Sequence, residues 1–439
     1  MTARSAMGVS TADRLDRLAP LPDELPAVEL APRLPAGFRA GATRAGIKAS
    51  GALDLGILAT TGEPATAAAT FTTNRVQAAP VRLSRMNLEA SAGRVAAVIS
   101  TSGCANAATG AAGDRDQRDL ADALAGALGV EAEQTLALST GLIGTRLPVD
   151  AIRAALPGLV GGGLAATDDA LATLADQLRT TDSRAKAATV RVALPGADGR
   201  TTSVTVSGVA KGVGMIHPRM ATMLALVLTD AQATPSTLRA VLGPVVERTW
   251  NQLTVDGDTS TNDTVFLLAS GSAGGPAVEQ GSAAFPVFAA AVEAVARSLA
   301  RQQAADGEGA TTLVTCQVSG APDHAQARAV AREVVGSSLV KAAIHGHDPN
   351  WGRIAAAAGN ASFAGAPVPV EVDRLAIGIA GVPVFDGEPL PFDRDALSQA
   401  MAAPEVLIRV DLGLGEGRGE AFGCDLTEQY VLENSAYST

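Results

Sequence analysis

Hydrophobic and polar positions follow two different periods along this chain, and the switching between them predicts a mixed α/β fold. Between Val190 and Val206 the period is two. Val190, Val192 and Leu194 alternate with Arg191 and Ala193, Pro195–Gly199 supplies turn residues, and Val204 and Val206 flank Thr205. Side chains on a strand point alternately to its two faces, so this pattern predicts a hairpin. Val406, Ile408, Val410 and Leu412, interleaved with Arg409 and Asp411, predict a half-buried strand, and the glycine-rich Gly413–Gly419 a hairpin turn after it. A helical period governs three other segments. Leu120, Ala123, Leu124, Ala127 and Leu128 share one face, as do Phe288, Val292, Val295 and Leu299. In the third, Asp323 is placed to cap a helix that turns Val330, Val334 and Leu339 inward. The mixture fits packed sheets covered by helices, and no repeat at a fixed period is present.

Organisation and composition narrow the picture. Residues 1–33 carry Pro20, Pro22, Pro26 and Pro32 among mixed charges and read as a poorly ordered leader. Ordered structure is expected from near Pro35, Gly37 and Phe38. With 439 residues, 46 of them glycine, and only 3% aromatics, the core must be built mainly from Ala, Val, Leu and Ile. A net charge of −11 argues against nucleic-acid binding through a general basic surface. Cys104, Cys316 and Cys424 are too few and scattered for a disulfide framework, and no CxxC pair suggests zinc. A reducing, cytoplasmic location is expected. Charges at Arg4, Asp13, Arg14, Asp16 and Arg17 break any secretory signal, and no apolar stretch is long enough to span a bilayer. Asp256, Asp258 and Asp263 resemble a calcium loop but lack its twelfth-position Glu, so turn and hydrogen-bonding roles are expected and no metal is implied. The Gly413–Gly419 run lacks the Lys-Ser/Thr of a phosphate-binding loop.

The densest chemical signal is Lys211–Ala221, a glycine-hinged turn that delivers Thr222 to the start of an apolar run, Met223–Leu228. A threonine in such a run ordinarily bonds its hydroxyl to backbone. Its surroundings admit a second reading. Gly212 and Gly214 permit positive φ and close approach, and Pro218 stiffens the turn. Thr222 Oγ could attack the Ala221 carbonyl, shift the bond to an ester, and leave after hydrolysis as a new amino terminus. That α-amine, with an ordinary pKa of about 7.7–8.0, can serve as base for its own hydroxyl. No histidine is then required in a chain that has four.

The run KGVGMIHPRMATML resembles the signature of the ornithine acetyltransferase family, the glutamate N-acetyltransferases of arginine biosynthesis. The similarity extends from about Pro35 to Thr439. It includes FTTNRVQAAPV (Phe71–Val81), SGCANAATG (Ser102–Gly110), STGLIG (Ser139–Gly144), VDGDTSTNDT (Val255–Thr264), DGEGAT (Asp306–Thr311), DPNWGRI (Asp348–Ile354) and NSAYST (Asn434–Thr439).

The resemblance implies a helix–sheet–sheet–helix sandwich formed jointly by an α chain, 34–221, and a β chain, 222–439, with two copies of each per assembly. It makes Thr222 the nucleophile, Ala221–Thr222 the self-cleaved bond, and Thr140 and Gly141 the oxyanion hole. Thr181, Lys211, Thr222, Glu308, Asn434 and Thr439 become substrate ligands, although Thr180 is hard to separate from Thr181. The implied reaction moves acetyl from N2-acetyl-L-ornithine to L-glutamate through an acetyl-threonine, with no bound cofactor. Acetyl-CoA is a further possible donor that no motif decides. Taken alone, Thr140–Gly141 fits an ordinary turn, Lys211 a solvated surface lysine, and Glu308 an exposed turn carboxylate. The chain departs from the family at Thr101 and Cys104, where asparagines are usual, and at His347, where arginine is common. Alternative readings are an amino-terminal-nucleophile amidase or aminopeptidase, and a paralogue serving a specialised metabolite.

Overall fold

The computed structural model describes residues 24–197, 199–217 and 223–436. Leader residues 1–23, Pro218, the Ala221–Thr222 bond and Thr439 lie outside the described residues. The chain divides into two compact units between Gln303 and Ala304.

In the larger unit the elements run β1 (Phe38–Thr43), β2 (Leu55–Thr60), β3 (Ala65–Phe71), α1 (Ala79–Ala90), β4 (Arg94–Val95), β5 (Ala97–Cys104), α2 (Gly110–Leu128), β6 (Thr135–Leu142), α3 (Val149–Gly162), α4 (Asp168–Leu178), β7 (Lys186–Pro195), β8 (Thr201–Lys211), β9 (Leu224–Thr229), α5 (Pro235–Arg248), β10 (Thr264–Ala269) and α6 (Ala284–Ala305). Two sheets result, ordered β1-β2-β5-β6 and β4-β3-β10-β9-β8-β7. They share a core. Phe38, Leu58, Val98 and Leu138 from the four-stranded sheet pack with Val209, Leu226, Leu228 and Phe266 from the six-stranded one. On the far face of the first sheet, Ile57, Ile99 and Ala137 meet Leu120 and Leu124 of α2 and Ile152, Leu156 and Leu159 of α3. The far face of the second is covered by α5, against β3, and by α6, whose Val295 and Leu299 sit where a Cβ on Gly208 would fall. The four-layer sandwich is therefore present within this unit.

The parallel pair β9 and β10 is buried at every residue, which is why both read as unbroken apolar runs. Phe266, fully buried and edge-on to Phe71, anchors this core. Phe266→Ala is expected to lower the unfolding free energy by about 3–5 kcal/mol in denaturant titration; a loss under about 1 kcal/mol would contradict the packing described.

The predicted hairpin is β7–β8, and all three predicted helices form. The α2 face differs in detail: Leu120, Ala121, Leu124 and Ala125 are buried, whereas Ala127 is exposed. Ordered chain also begins earlier than Pro35. Glu29 and Thr189 exchange two backbone hydrogen bonds of 2.8 Å, Arg33 pairs with Asp168 at 3.0 Å, and Leu34 packs on the core.

The smaller unit contains β11 (Leu313–Ala321), α7 (His324–Gly336), α8 (Ser338–His345), α9 (Trp351–Asn360), β12 (Ser362–Phe363), β13 (Ala366–Pro367), β14 (Ala376–Ile379), β15 (Val382–Asp386), β16 (Glu388–Pro389), α10 (Arg394–Ala400), β17 (Glu405–Asp411), β18 (Gly417–Cys424) and α11 (Glu428–Ala436). Its main sheet runs β16-β15-β14-β17-β11-β18. Two expectations are corrected here. Asp323 caps α7 and Val330 and Val334 are buried, but Leu339 is exposed. The helix stops at Gly336, and the Ser337 hydroxyl, accepting from Val340 N–H, starts a new helix with a different inward face. Second, Gly413–Gly419 is not a hairpin turn. β17 and β18 lie on opposite sides of β11, parallel and antiparallel to it. The glycines permit close crossing: a Cβ on Gly417 would lie 2.3 Å from the Asp323 carbonyl carbon, and one on Gly419 2.5 Å from Arg328 N.

Candidate active site

The site begins where β8 ends. Lys211 pairs in register with Leu224 of β9, so the chain leaves and re-enters the sheet at one ladder position, and the Lys211–Thr222 motif spans that connection. Gly212 has φ +133° and Met215, unusually for a residue with a Cβ, φ +54°. The Asp256 carboxylate accepts from Met215 N–H (2.5 Å) and Ile216 N–H (2.8 Å), and Val255 N–H donates to Ile216 O at 2.8 Å. Asp256 thus has the turn role expected of it.

Burial pushes the Asp256 carboxyl up to about 6, although the amides of Asp258, Ile216 and Met215 draw it down. The folded state therefore holds this proton more tightly than the unfolded chain, whose ordinary value is 3.8. That stabilisation is present at low pH and is lost as pH rises through about 6. Relative to Asp256→Asn, the native protein should lose up to about 3 kcal/mol between pH 4 and 7, read from urea unfolding at each pH. A pH-independent difference would contradict this.

Lys211 is not a solvated surface lysine: only 3% of it is exposed. Its Nζ donates to Thr140 Oγ1 at 3.2 Å and lies 3.9 Å from Asp182 Oδ2. Asp182 is buried against Lys186 at 2.7 Å, and its Oδ1 also accepts from Gly212 N–H at 2.8 Å. Burial alone would raise the Asp182 carboxyl, but the Lys186 and Lys211 ammoniums and these hydrogen bonds hold it well below the usual carboxylate range. The Lys186 and Lys211 ammoniums thus flank the Asp182 carboxylate, with Lys211 reaching Thr140.

Thr140 ends the buried part of β6, and Gly141 follows it half-buried. They do not form an ordinary turn; they continue the parallel ladder with β5. Gly141, at φ +125°, passes so close that a Cβ would stand 2.3 Å from the Gly103 carbonyl carbon. An ammonium only donates, so Thr140 Oγ1 accepts from Lys211 and keeps its own proton for another acceptor. The departures at Thr101 and Cys104 sit on neighbouring β5 and are satisfied: Thr101 Oγ1 donates to Ser139 Oγ at 2.8 Å, and Cys104 Sγ to Thr145 O at 3.2 Å.

The segment before β10 reaches both strand ends. Asn262 Nδ2 donates to Ser139 O (2.8 Å) and Ala105 O (2.7 Å), and Asp263 Oδ1 accepts from Met223 N–H at 3.0 Å. Burial pushes the Asp263 carboxyl well above its ordinary value, and the Met223 amide and the Lys211 charge offset only part of that.

Of the residues singled out from sequence, Thr140, Gly141 and Lys211 come together in the larger unit. Thr181 is exposed beside Asp182. In the smaller unit Asn434 Nδ2 donates to Glu308 Oε2 at 2.9 Å, from α11 to the loop before β11. Sequence reasoning missed Asp182, Lys186 and Asn262, and gave Asp263 a turn and hydrogen-bonding role without its partner, Met223 N–H. The available signals were the position of Asp182 directly after Thr181, of Lys186 at the start of β7, and of Asn262 and Asp263 within VDGDTSTNDT.

The four-layer sandwich, with a threonine–glycine strand end in contact with a buried lysine, is that of an acyltransferase family. The ArgJ family model matches residues 39–439, and the chain belongs to the ArgJ family. The arginine biosynthesis bifunctional protein ArgJ of Thermus thermophilus is 47% identical over 410 residues, 93% of this chain and all of that one. The protein of the same description from Deinococcus radiodurans is 44% identical, covering 92% of this chain and 97% of its own. A crystal structure of Mycobacterium tuberculosis ornithine acetyltransferase complexed with ornithine is 39% identical, covers 44% of this chain and 97% of that one, and has a TM-score of 0.39.

Proposed function

We propose that Thr222 carries the chemistry of this enzyme, an acetyltransferase of arginine biosynthesis that moves acetyl from N2-acetyl-L-ornithine to L-glutamate. In maturation, Thr222 Oγ adds to the Ala221 carbonyl, the C–N bond breaks to leave an ester, and water hydrolyses it. The products are the Ala221 carboxylate and a Thr222 with free amine and hydroxyl. In turnover the amine takes the hydroxyl proton as Oγ attacks the acetyl carbonyl of N-acetylornithine. The proton passes to the departing ornithine nitrogen, and acetyl remains on Thr222. Glutamate's amine then attacks that ester, and the Oγ proton is restored. Thr140 O–H and Gly141 N–H hold the oxyanion in both halves. The observation that carries this reading is the buried Lys211–Thr140 contact, which turns the Thr140 proton away from Lys211.

The sheet order supports the two-chain product. β9 and β10 follow Thr222, and they lie between β3 and β8, which precede it. Cleavage would leave both pieces hydrogen-bonded in one sheet, so the α chain (34–221) and β chain (222–439) should co-purify and part only on denaturation. Two copies of each make the proposed assembly, and the cytoplasm is its proposed location. All three cysteines are free and buried, and no described helix is long and apolar enough to cross a membrane.

Thr181, Lys211, Thr222 and Thr439 are the proposed ligands of the shared amino-acid moiety and the acyl group, with Glu308 and Asn434 for the ornithine side-chain ammonium. Product analysis separates transfer from hydrolysis. N-acetylornithine with glutamate should yield N-acetylglutamate in step with ornithine; free acetate formed at one rate with or without glutamate would instead mark an amidase. Acetyl-CoA is the proposed second donor, tested by glutamate-dependent release of its thiol.

A further inference from the structure

We propose that Asn262 and Asp263 together fix the distance between the nucleophile and the oxyanion donors, as positioning residues for the acetyl transfer. The inference rests on the assignment of Thr222 and Thr140 above. Two neighbouring side chains grip the two peptide groups that matter most. Ser139 O, which Asn262 holds, belongs to the rigid peptide unit that carries the Thr140 nitrogen. Met223 N, which Asp263 holds, belongs to the unit that carries the Thr222 carbonyl. One dipeptide thus reaches β6 in one sheet and the residue that leads into β9 in the other.

Both grips are over-determined. Asn262 spends both carboxamide hydrogens on Ala105 O and Ser139 O, while its Oδ1 accepts from Thr261 Oγ1 at 2.6 Å. The amide orientation is thereby set, and no ionised carboxylate could replace it, because two carbonyls face it. Met223 is held at its nitrogen by Asp263 and at its oxygen by Thr264 N–H, 3.1 Å away. Asp263 O in turn accepts from Thr72 N–H at 2.9 Å. Asn262 and Asp263 are both buried, so neither is available to solvent or substrate. Their effect on the reaction runs through the strands they hold. Placing a reacting group about 1 Å from its best position costs on the order of 10²-fold in rate.

The chemistry makes the two positions differ in what they tolerate. Asp263 needs an acceptor for Met223 N–H and sits where a neutral group is favoured, so Asp263→Asn should behave nearly as the native protein. Asp263→Ala should not. Asn262 needs two donors, so Asn262→Asp and Asn262→Ala should both fail. The test uses full-length enzyme, with active sites counted by the acetyl-threonine formed on mixing with N-acetylornithine, so that misfolded material drops out. Per acetylatable site, kcat should fall ~10–100-fold in Asp263→Ala and Asn262→Ala, with KM for N-acetylornithine within about threefold. Asp263→Asn should recover most of the loss. Should a variant form no acetylatable site while Asp263→Asn is active, the time course of fragment formation in Asp263→Ser replaces it, and slowed cleavage is expected. Native kcat per site in both alanine variants would overturn the proposal while leaving the Thr222 assignment intact. Undiminished transfer by Thr222→Ala would overturn both.

Discussion

Thr222→Ala is expected to yield a single polypeptide of 44.0 kDa that transfers no acetyl. The methyl side chain removes the only hydroxyl that can attack Ala221 within the Lys211–Thr222 connection, so the precursor keeps its peptide bond. The same change removes the acyl acceptor of turnover. The two losses have one cause, and the background left should be that of non-covalent binding alone. Thr222→Ser restores a hydroxyl without the methyl that restricts χ1, so slower cleavage and partial transfer are expected. The readouts are denaturing electrophoresis and ornithine release. Two fragments from Thr222→Ala would place the cleavage chemistry elsewhere.

Thr140→Val is the second large effect. It keeps the shape of the side chain and deletes the hydroxyl that Lys211 contacts at 3.2 Å. Losing one oxyanion donor typically costs 10²–10³-fold in kcat, and KM for N-acetylornithine should move far less. Thr140→Ser should retain much of the rate. Lys211→Met tests the other end of the contact. Asp182 keeps Lys186 at 2.7 Å, so the buried carboxylate is not stranded and the protein should fold. The positive charge beside Thr140 is lost, and kcat/KM should fall at least tenfold. An unchanged kcat in Thr140→Val would remove Thr140 from the oxyanion hole.

Much of the secondary structure of both units was legible in sequence where its signals are local. The β7–β8 hairpin announces itself through period-two alternation around Pro195–Gly199. The Asp323 cap is a short-range hydrogen bond to Gln326 N–H. What escaped depends on contacts between distant residues. Gly413–Gly419 resembles a turn by composition, yet β17 and β18 are separated by β11, about ninety to a hundred residues earlier in the chain. Leu339 stands five residues after Val334, off the helical spacing that joins Val330 to Val334, and Ser337 has by then ended one helix and capped the next, which buries Val340, Ala343 and Ile344 instead. The site shows the same limit. Composition gives Lys211 to solvent; its burial follows from Asp182, Lys186 and Thr140, and no local pattern encodes that cluster. Thr140, Gly141, Lys211, Glu308 and Asn434 were found through motif likeness, whereas Asn262 became visible only once its two carbonyl partners were placed.

Intact-mass spectrometry of the purified protein, before and after incubation with N-acetylornithine, tests the account most directly. Two fragments are predicted, one ending at Ala221 and one beginning at Thr222, and only the second should gain a single acetyl group that glutamate then removes. A fully active protein that stays one uncut chain, or an acetyl group stably carried by the fragment ending at Ala221, would contradict it.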